Sequence, residues 1–359
     1  MMHDPIPGHP RQQAQDRGEP EPQEPGHDLP PRPGRYDVPQ PGAYGGAPHG
    51  WPPQEPAPGP VPAYHEQGRN GRQTGGARVG EFFLALALMV AGLLLVFAGC
   101  AVVGAAFGLE FAAEESAAVF ADPLLDNAVM LGAIALWTPA VLIAVRACGG
   151  RPAGTLASVT GRLRWGWLGW CFALAGAVLV LQNLVLFVWS LWQEGSAAVA
   201  GEFPGWSSLV LSLVVLWVLV PFQAAAEEFV FRGWLTQLFG GFVRSPWPGV
   251  VVASLLFSLA HGYGELSGFL LLCYSAIWWG WLTLRTGGLE AAIAGHTVNN
   301  LIAFSLAAVF GELSDQSTAA DAPWEALVVE LVFTPAFCLL TARLAARHAI
   351  AARTPQPTL

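Results

Sequence analysis

The sequence contains no lysine, so all 17 of its basic residues are arginine, and charged residues make up only 12% of its 359 positions. It has no basic stripe and no nucleic-acid-binding motif, and its formal net charge is −9. These absences argue against DNA and RNA as partners. Its five cysteines form no CxxC pair and show no metal-ligand spacing, which favours buried free thiols.

Long apolar segments take the place of charge, and 53% of the residues are hydrophobic, as in polytopic membrane proteins. Eight segments are long enough, or nearly so, to cross a hydrocarbon core of about 30 Å, and the fifth is short. We therefore predict an all-α fold, a polytopic transmembrane helical bundle of about eight spans in a lipid bilayer. The spans lie near 82–109, 124–147, 165–191, 207–238, 247–261, 267–285, 288–311 and 325–345.

Composition also divides the chain. Residues 1–79 are rich in Pro, Gly, Gln and Glu and cannot bury enough apolar surface to offset chain entropy, which predicts a disordered tail. An inert tail is favoured over a protein-binding one. The first apolar segment is predicted to act as an uncleaved signal anchor. N-terminal transmembrane helices follow over 80–204, then a core over 205–311, then a last transmembrane helix and short tail over 312–359.

Arginine distribution predicts the orientation, because short cytoplasmic loops retain Arg. Arginines precede the first span, lie in alternate connections and follow the last span, whereas the other connections hold acidic residues and no Arg. We predict a multi-pass protein of the cell membrane with cytoplasmic N- and C-termini. These arginines are Arg69, Arg72, Arg78, Arg146, Arg151, Arg162, Arg164, Arg244, Arg285, Arg343, Arg347 and Arg353.

Three ionisable residues interrupt the fourth span, in the stretch AAAEEFVFRGW at 224–234. A charge at a helix centre costs about 2.5 to 3.5 kcal/mol on insertion scales, so Glu227, Glu228 and Arg232 need partners. Glu228 and Arg232 are spaced to share one helix face and are predicted to form an ion pair. Glu227 points about 100° away without an intrahelical charge partner, which leaves it free for another task.

Two other spans hold polar residues at the same helical interval. FSLAH places Phe257 and His261 on one face, and HTVNN does the same for His296 and Asn300. Four polar residues lie about 11 to 21 Å above the predicted cytoplasmic ends of their spans, at 1.5 Å per residue: Glu227, His261, His296 and Asn300. Their similar depth predicts that they meet in one site.

The chemistry of such a site follows from its groups. A carboxylate and an imidazole held together, here Glu227 and His261, can bind and deprotonate a water, with Glu227 as general base and later proton donor. His296 and Asn300 would donate N–H groups to a developing oxyanion. That set suffices for peptide hydrolysis without a covalent intermediate. Glu227, His261 and His296 are also competent ligands for a divalent metal such as zinc, although there is no HExxH motif, so no cofactor is predicted with certainty.

Each of these features also has a structural interpretation. A single intramembrane histidine often only joins two helices, and the ion pair can serve packing alone. Gln223 can bind the same water as Glu227 or form a helix contact, and the contact is favoured. A Ser–His mechanism through Ser258 and His261 is a minor alternative, because no acid is placed in sequence to orient that histidine. Packing is also favoured for Gln182, Asn183, Trp278, Trp279 and Trp281.

The three motifs together resemble those of a known family. EEFVFR resembles EExxxR, FSLAH resembles FxxxH, and HTVNN resembles HxxxN. Their order is that of the CAAX prenyl protease and bacteriocin-processing (CPBP, Abi) family of intramembrane proteases, often classed as metalloproteases. The resemblance covers residues 205–311 and leaves out the tail and the first spans.

The resemblance implies a cytoplasmic-facing cavity within a helical bundle. Glu227 and His261 would activate the water there. His296 and Asn300 would form the oxyanion site. The supporting residues would be Glu228 and Arg232.

The sequence therefore predicts an intramembrane endopeptidase that hydrolyses a peptide bond of a membrane-associated protein or peptide. The Lys-free, Ala- and Gly-rich composition indicates a bacterial host, which argues against a prenylated substrate. The rival hypothesis is a non-enzymatic membrane factor for bacteriocin immunity, scaffolding or transport that uses the same polar cluster as a binding site. A transporter predicts inverted repeats, of which the sequence shows no clear example. A scaffold predicts that Glu227→Gln leaves function intact.

Overall fold

The computed structural model describes residues 61–69, 74–113, 116, 118–195, 201–262, 264–315 and 317–355, so residues 1–60 of the predicted tail lie outside it. Over the described residues the chain is helical, with isolated bridges and no strands, which confirms the all-α prediction. The helices are α1 (Gly75–Phe107), α2 (Pro123–Ala135), α3 (Trp137–Ala144), α4 (Trp165–Glu194), α5 (Trp206–Glu228), α6 (Thr236–Phe242), α7 (Trp247–Ala260), α8 (Leu266–Thr286), α9 (Glu290–Phe310) and α10 (Trp324–Arg347).

Seven helical runs in the described part of the chain are long and apolar enough to cross a membrane. A π-helical segment, Phe229–Leu235, joins α5 to α6, so Trp206–Phe242 forms one run that contains the EExxxR motif. The predicted short fifth span is α7, whose 14 residues fall below the length of a full crossing. The predicted polytopic bundle is therefore confirmed, with seven candidate spans and one shorter apolar helix among the described residues.

Residues 61–69, which the sequence assigns to the polar tail, are part of the helical unit, and we call them the N-terminal strap. Its 3₁₀ turn, His65–Arg69, packs on α6 at backbone contact, since a Cβ added at Gly240 would lie 2.1 Å from the His65 carbonyl oxygen. Tyr64 is fully buried, and its hydroxyl donates to the carbonyl of Leu156. Burial raises the pKa of Tyr64 well above its usual value, so the hydroxyl keeps its proton.

The strap is also tied to the C-terminal segment of the chain. Ala63 and Arg353 form an antiparallel bridge, and the Thr354 amide donates to the Pro62 carbonyl at 3.1 Å. The strap's histidine lies 3.0 Å from the carbonyl of Arg244, in the connection between α6 and α7. The two terminal segments therefore lie side by side at the Arg-rich end of the bundle.

Two ion pairs with buried carboxylates fix the helices at this end. Arg151 holds Glu81 of α1 through two bonds of 2.8 and 3.1 Å. Arg164 holds Glu290, the first residue of α9, through its Nε at 2.8 Å and its second terminal nitrogen at 2.6 Å. Glu290 precedes His296 by about 9 Å of helix, at 1.5 Å per residue, so this pair sets the height at which His296 enters the bundle.

Candidate active site

The run from α5 into the π-helical segment carries the EExxxR motif into the interior. Pro221 lies inside α5 and has no N–H, which removes one helical hydrogen bond just before the motif. The helix changes to π geometry directly after Glu228, and such segments often occur at functional sites. Every residue from 226 to 238 is buried. The motif is therefore on irregular helix enclosed by protein.

Glu228 is the central acceptor of the site. It is 0% exposed, and its Oε1 accepts from Arg232 at 3.0 Å and lies 2.7 Å from Nδ1 of His296. A carboxylate only accepts hydrogen bonds, so this contact places a proton on Nδ1 and directs Nε2 of His296 the other way. The predicted pair within the motif is present, and it also orients the histidine of α9.

Glu227 lies on the far side of the same histidine. Its Oε2 is 3.4 Å from Nε2 of His296, and its Oε1 accepts from Nε2 of Gln223 at 2.7 Å. The Oε1 of Gln223 in turn accepts from Nδ2 of Asn300 at 3.1 Å. Oε2 of Glu227 is buried and accepts no hydrogen bond from the described residues. It is therefore the carboxylate oxygen available to a reacting water.

Aromatic rings enclose the ionic part of the site. The Phe257 ring lies 4.1 Å from the guanidinium carbon of Arg232, and the Trp279 ring lies 5.5 Å from it. Both rings also contact His296, with centroid distances of 5.8 and 5.4 Å. Cation–π contacts of this kind stabilise a charge that has left water. The Phe of the FxxxH motif thus touches residues of both other motifs.

His261 is placed differently from the other predicted residues. It caps the C-terminus of α7 and is half-buried, with Nδ1 2.9 Å from the Phe257 carbonyl, and its own carbonyl accepts from Thr318. Within the described chain no hydrogen bond or ion pair joins it to Glu227. Its link to the cluster is the Phe257 ring, 4.6 Å away. Because a carbonyl accepts, Nδ1 carries the proton and Nε2 is left as an acceptor.

The predicted residues therefore fall into one connected group and one neighbour. Hydrogen bonds and ion pairs join Glu227, Glu228, Arg232, His296 and Asn300, whereas His261 adjoins them through an aromatic ring. Sequence reasoning placed Gln223 in a helix contact, and it makes that contact while also holding Glu227. The sequence feature that could have revealed the hydrogen bond to Glu227 is the spacing of Gln223, four residues before it on the helix.

A metal ion does not fit the residues as they are arranged. Among the described residues, no group of three or more His, Cys, Asp or Glu side chains is positioned to hold one. The three predicted ligands are divided, since His261 makes no polar contact with Glu227 or His296 among the described residues.

A further buried carboxylate, Glu330 of α10, was not predicted from the sequence. It accepts from Gln182 at 2.7 Å and from the hydroxyls of Ser275 and Thr334. These contacts join α4, α8 and α10. Gln182 of the predicted third span therefore serves helix packing away from the EExxxR cluster, whereas Asn183 donates to the Leu179 carbonyl of its own helix.

Comparisons of the sequence with known proteins bear on the family. Residues 206–302 match the family model described as type II CAAX prenyl endopeptidase Rce1-like, which confirms the resemblance seen in the three motifs. The uncharacterized protein YyaK of Bacillus subtilis (strain 168) is 30% identical over 148 residues, or 40% of this chain and 46% of YyaK. The chain thus spans about half the length of that relative. No solved structure matches.

Proposed function

We propose that this chain is an intramembrane endopeptidase in which Glu227 activates a water, because residues 206–302 carry the pattern of the Rce1-like family. The family match supports a CAAX-type endopeptidase in general terms. The observation that carries the specific proposal is the buried Oε2 of Glu227, which accepts no hydrogen bond from the described residues and lies 3.4 Å from Nε2 of His296. The substrate is a membrane-associated protein or peptide in the surrounding lipid bilayer.

Hydrolysis begins at Glu227. Its Oε2 takes a proton from a water that is also held by Nε2 of His261, and the water oxygen attacks the scissile carbonyl carbon. The resulting tetrahedral intermediate carries an oxyanion. Glu227 then gives the proton to the leaving amine nitrogen as the C–N bond breaks. Atoms balance without a covalent enzyme intermediate, and Glu227 returns to its starting state.

The oxyanion is stabilised by N–H groups on α9. Nε2 of His296 and Nδ2 of Asn300 supply the two donors. Nε2 of His296 can donate only when it carries a proton in addition to the one on Nδ1 that faces Glu228.

The test is a comparison of membrane-protein termini in cells that carry the wild-type chain, Glu227→Gln or Glu330→Gln at equal expression. Glu227 and Glu330 are both 7% exposed, so the second variant is a matched buried control outside the site. We expect new termini in wild-type cells that disappear with Glu227→Gln and persist with Glu330→Gln. They would name the substrate.

The opposite result is equally clear. If wild-type and Glu227→Gln cells have the same termini while the protein still produces a phenotype, the cluster binds or supports structure and the protease proposal fails. Loss of the same termini in both variants would assign the effect to folding, which protein abundance in the membrane would reveal directly.

A further inference from the structure

Gln223 lies between two of the proposed catalytic side chains and contacts both. It donates to Oε1 of Glu227 at 2.7 Å and accepts from Nδ2 of Asn300 at 3.1 Å. Its side chain is 5% exposed, so bulk water does not compete strongly for either bond. An amide has both donors and an acceptor, which a carboxylate or a hydrocarbon of the same size lacks.

The bond to Glu227 selects which carboxylate oxygen is free. With Oε1 engaged, rotation of the carboxylate would break a charge-assisted hydrogen bond. Oε2 is thereby held on the side of His296, 3.4 Å from its Nε2. The general base therefore presents one defined oxygen to the water.

The bond to Asn300 fixes the direction of its amide. Asn299 donates to Oδ1 of Asn300 at 3.3 Å, while Gln223 accepts from Nδ2. A reversed amide would place two acceptors together at Gln223 and two donors together at Asn299. Asn300 is consequently held with its donor nitrogen toward Gln223, with a second N–H left over for an oxyanion.

We propose that Gln223 is a positioning residue that aligns the general base and the oxyanion donor of this site at the same time. The inference rests on the proposed function. Gln223 touches neither the water nor the substrate in this scheme, so its loss should lower kcat and leave KM unchanged. Misplacement of reacting groups by about 1 Å can cost roughly 100-fold in rate, which sets the scale expected.

The chain contains a close control for this residue. Gln182 is also 5% exposed, and its Nε2 also donates a 2.7 Å hydrogen bond to a buried glutamate, Glu330. Gln223→Met and Gln182→Met each keep the side-chain length and remove one such donor. Any general effect of losing a buried amide should therefore be similar in the two variants.

The experiment uses the purified full-length chain in lipid nanodiscs with the substrate protein whose terminus depends on Glu227. We expect Gln223→Met to lower kcat about 10- to 100-fold at unchanged KM, and Gln182→Met to leave both constants unchanged. Gln223→Glu should not rescue activity, since it cannot donate to Glu227. In an Asn300→Ala background, Gln223→Met should have a smaller effect, because half of its role is already lost.

The outcomes separate the two proposals. Equal kcat values for wild type, Gln223→Met and Gln182→Met overturn the role of Gln223 while Glu227-dependent cleavage stands. Equal losses in both methionine variants, with equal losses of Tm, also overturn it, since they point to general destabilisation. If no terminus depends on Glu227, the proposed function fails and the role of Gln223 fails with it.

Discussion

Arg232 is the residue that joins the three motifs. It bonds to Glu228 within its own helix and lies against the rings of Phe257 on α7 and Trp279 on α8. Glu228 in turn contacts Nδ1 of His296 on α9. A guanidinium suits this position because it combines a hydrogen-bonding edge with a flat face that stacks on aromatic rings.

Removing Arg232 should therefore destabilise the whole bundle. Arg232→Met leaves Glu228 buried with an uncompensated charge, at a cost of about 3 to 5 kcal/mol. We expect a clearly lowered Tm in detergent, and the double variant Glu228→Gln/Arg232→Met should recover part of it. The exposed Arg285 offers the control, and Arg285→Met should leave Tm unchanged. A double variant that loses the sum of the single losses would contradict this account.

Spacing along one helix was enough to predict the Glu228–Arg232 pair, because residues four apart meet on every α-helix. It could not predict Arg151 with Glu81 or Arg164 with Glu290, whose partners lie 70 and 126 positions away. In the sequence, Arg151 and Arg164 could be recognised only as charged residues of a loop. The glutamate of α10 was missed for the same reason, since its neutral donors come from two other helices as well as its own.

At the scale of elements, the N-terminal strap is the main departure from the sequence-based expectation. Its polar composition predicts disorder, yet residues 61–69 pack closely on α6. Small residues make this possible, since a Cβ on Gly68 would lie 1.9 Å from the Gln237 carbonyl oxygen. Tyr64 reaches beneath the EExxxR motif, where a Cβ on Gly233 would lie 3.5 Å from its hydroxyl and 3.3 Å from Leu289. Composition averages over such single close contacts and cannot reveal them.

The strap should detach when its contact surface is filled. Gly240→Ala places a methyl group 2.1 Å from the His65 carbonyl oxygen, whereas Gly166→Ala, also in a helix, meets nothing within 4 Å. Because the chain lacks lysine, trypsin cuts only after arginine, and Arg69 lies in the strap. We expect faster cleavage at Arg69 in Gly240→Ala than in wild type or Gly166→Ala. Equal cleavage rates in the three proteins would show that the strap tolerates the methyl group.

The C-terminal end of α7 also differs from the sequence-based expectation. FSLAH was predicted to place its histidine on a helix face, but α7 ends at Ala260 and His261 is its cap. Glycine follows at position 262 with φ 89°, a conformation that stops the helix. This places His261 at the edge of the cluster, with one ring nitrogen engaged by the backbone.

At the scale of the described helical unit, burial is uneven around the site. Every residue of 226–238 and 286–297 is buried, whereas 298–300 and His261 are half-exposed. Tyr64, Leu156 and Leu289 are 0% exposed toward the Arg-rich end. The described residues, the strap among them, therefore bury the site toward that end. The site is more open toward His261 and Asn300.

Orientation is testable at the same scale. In a variant without the five native cysteines, we expect a single cysteine in place of Arg244 to react with a membrane-impermeant thiol reagent only from the cytoplasmic side. A cysteine in place of Glu312, in the connection between α9 and α10, should react only from the opposite side. Labelling of the two positions from the same side would contradict the bundle topology, and exchanged sides would reverse the predicted orientation.

The central claim is that this chain itself hydrolyses a peptide bond through Glu227. The most direct measurement is cleavage of the identified substrate by the purified full-length chain in lipid vesicles, with wild type, Glu227→Gln and Glu330→Gln compared at equal folded protein. We predict cleavage by wild type and Glu330→Gln and a loss of about 1,000-fold or more in Glu227→Gln, as expected when a general base is removed from a buried site. Cleavage by Glu227→Gln at the wild-type rate would contradict the account.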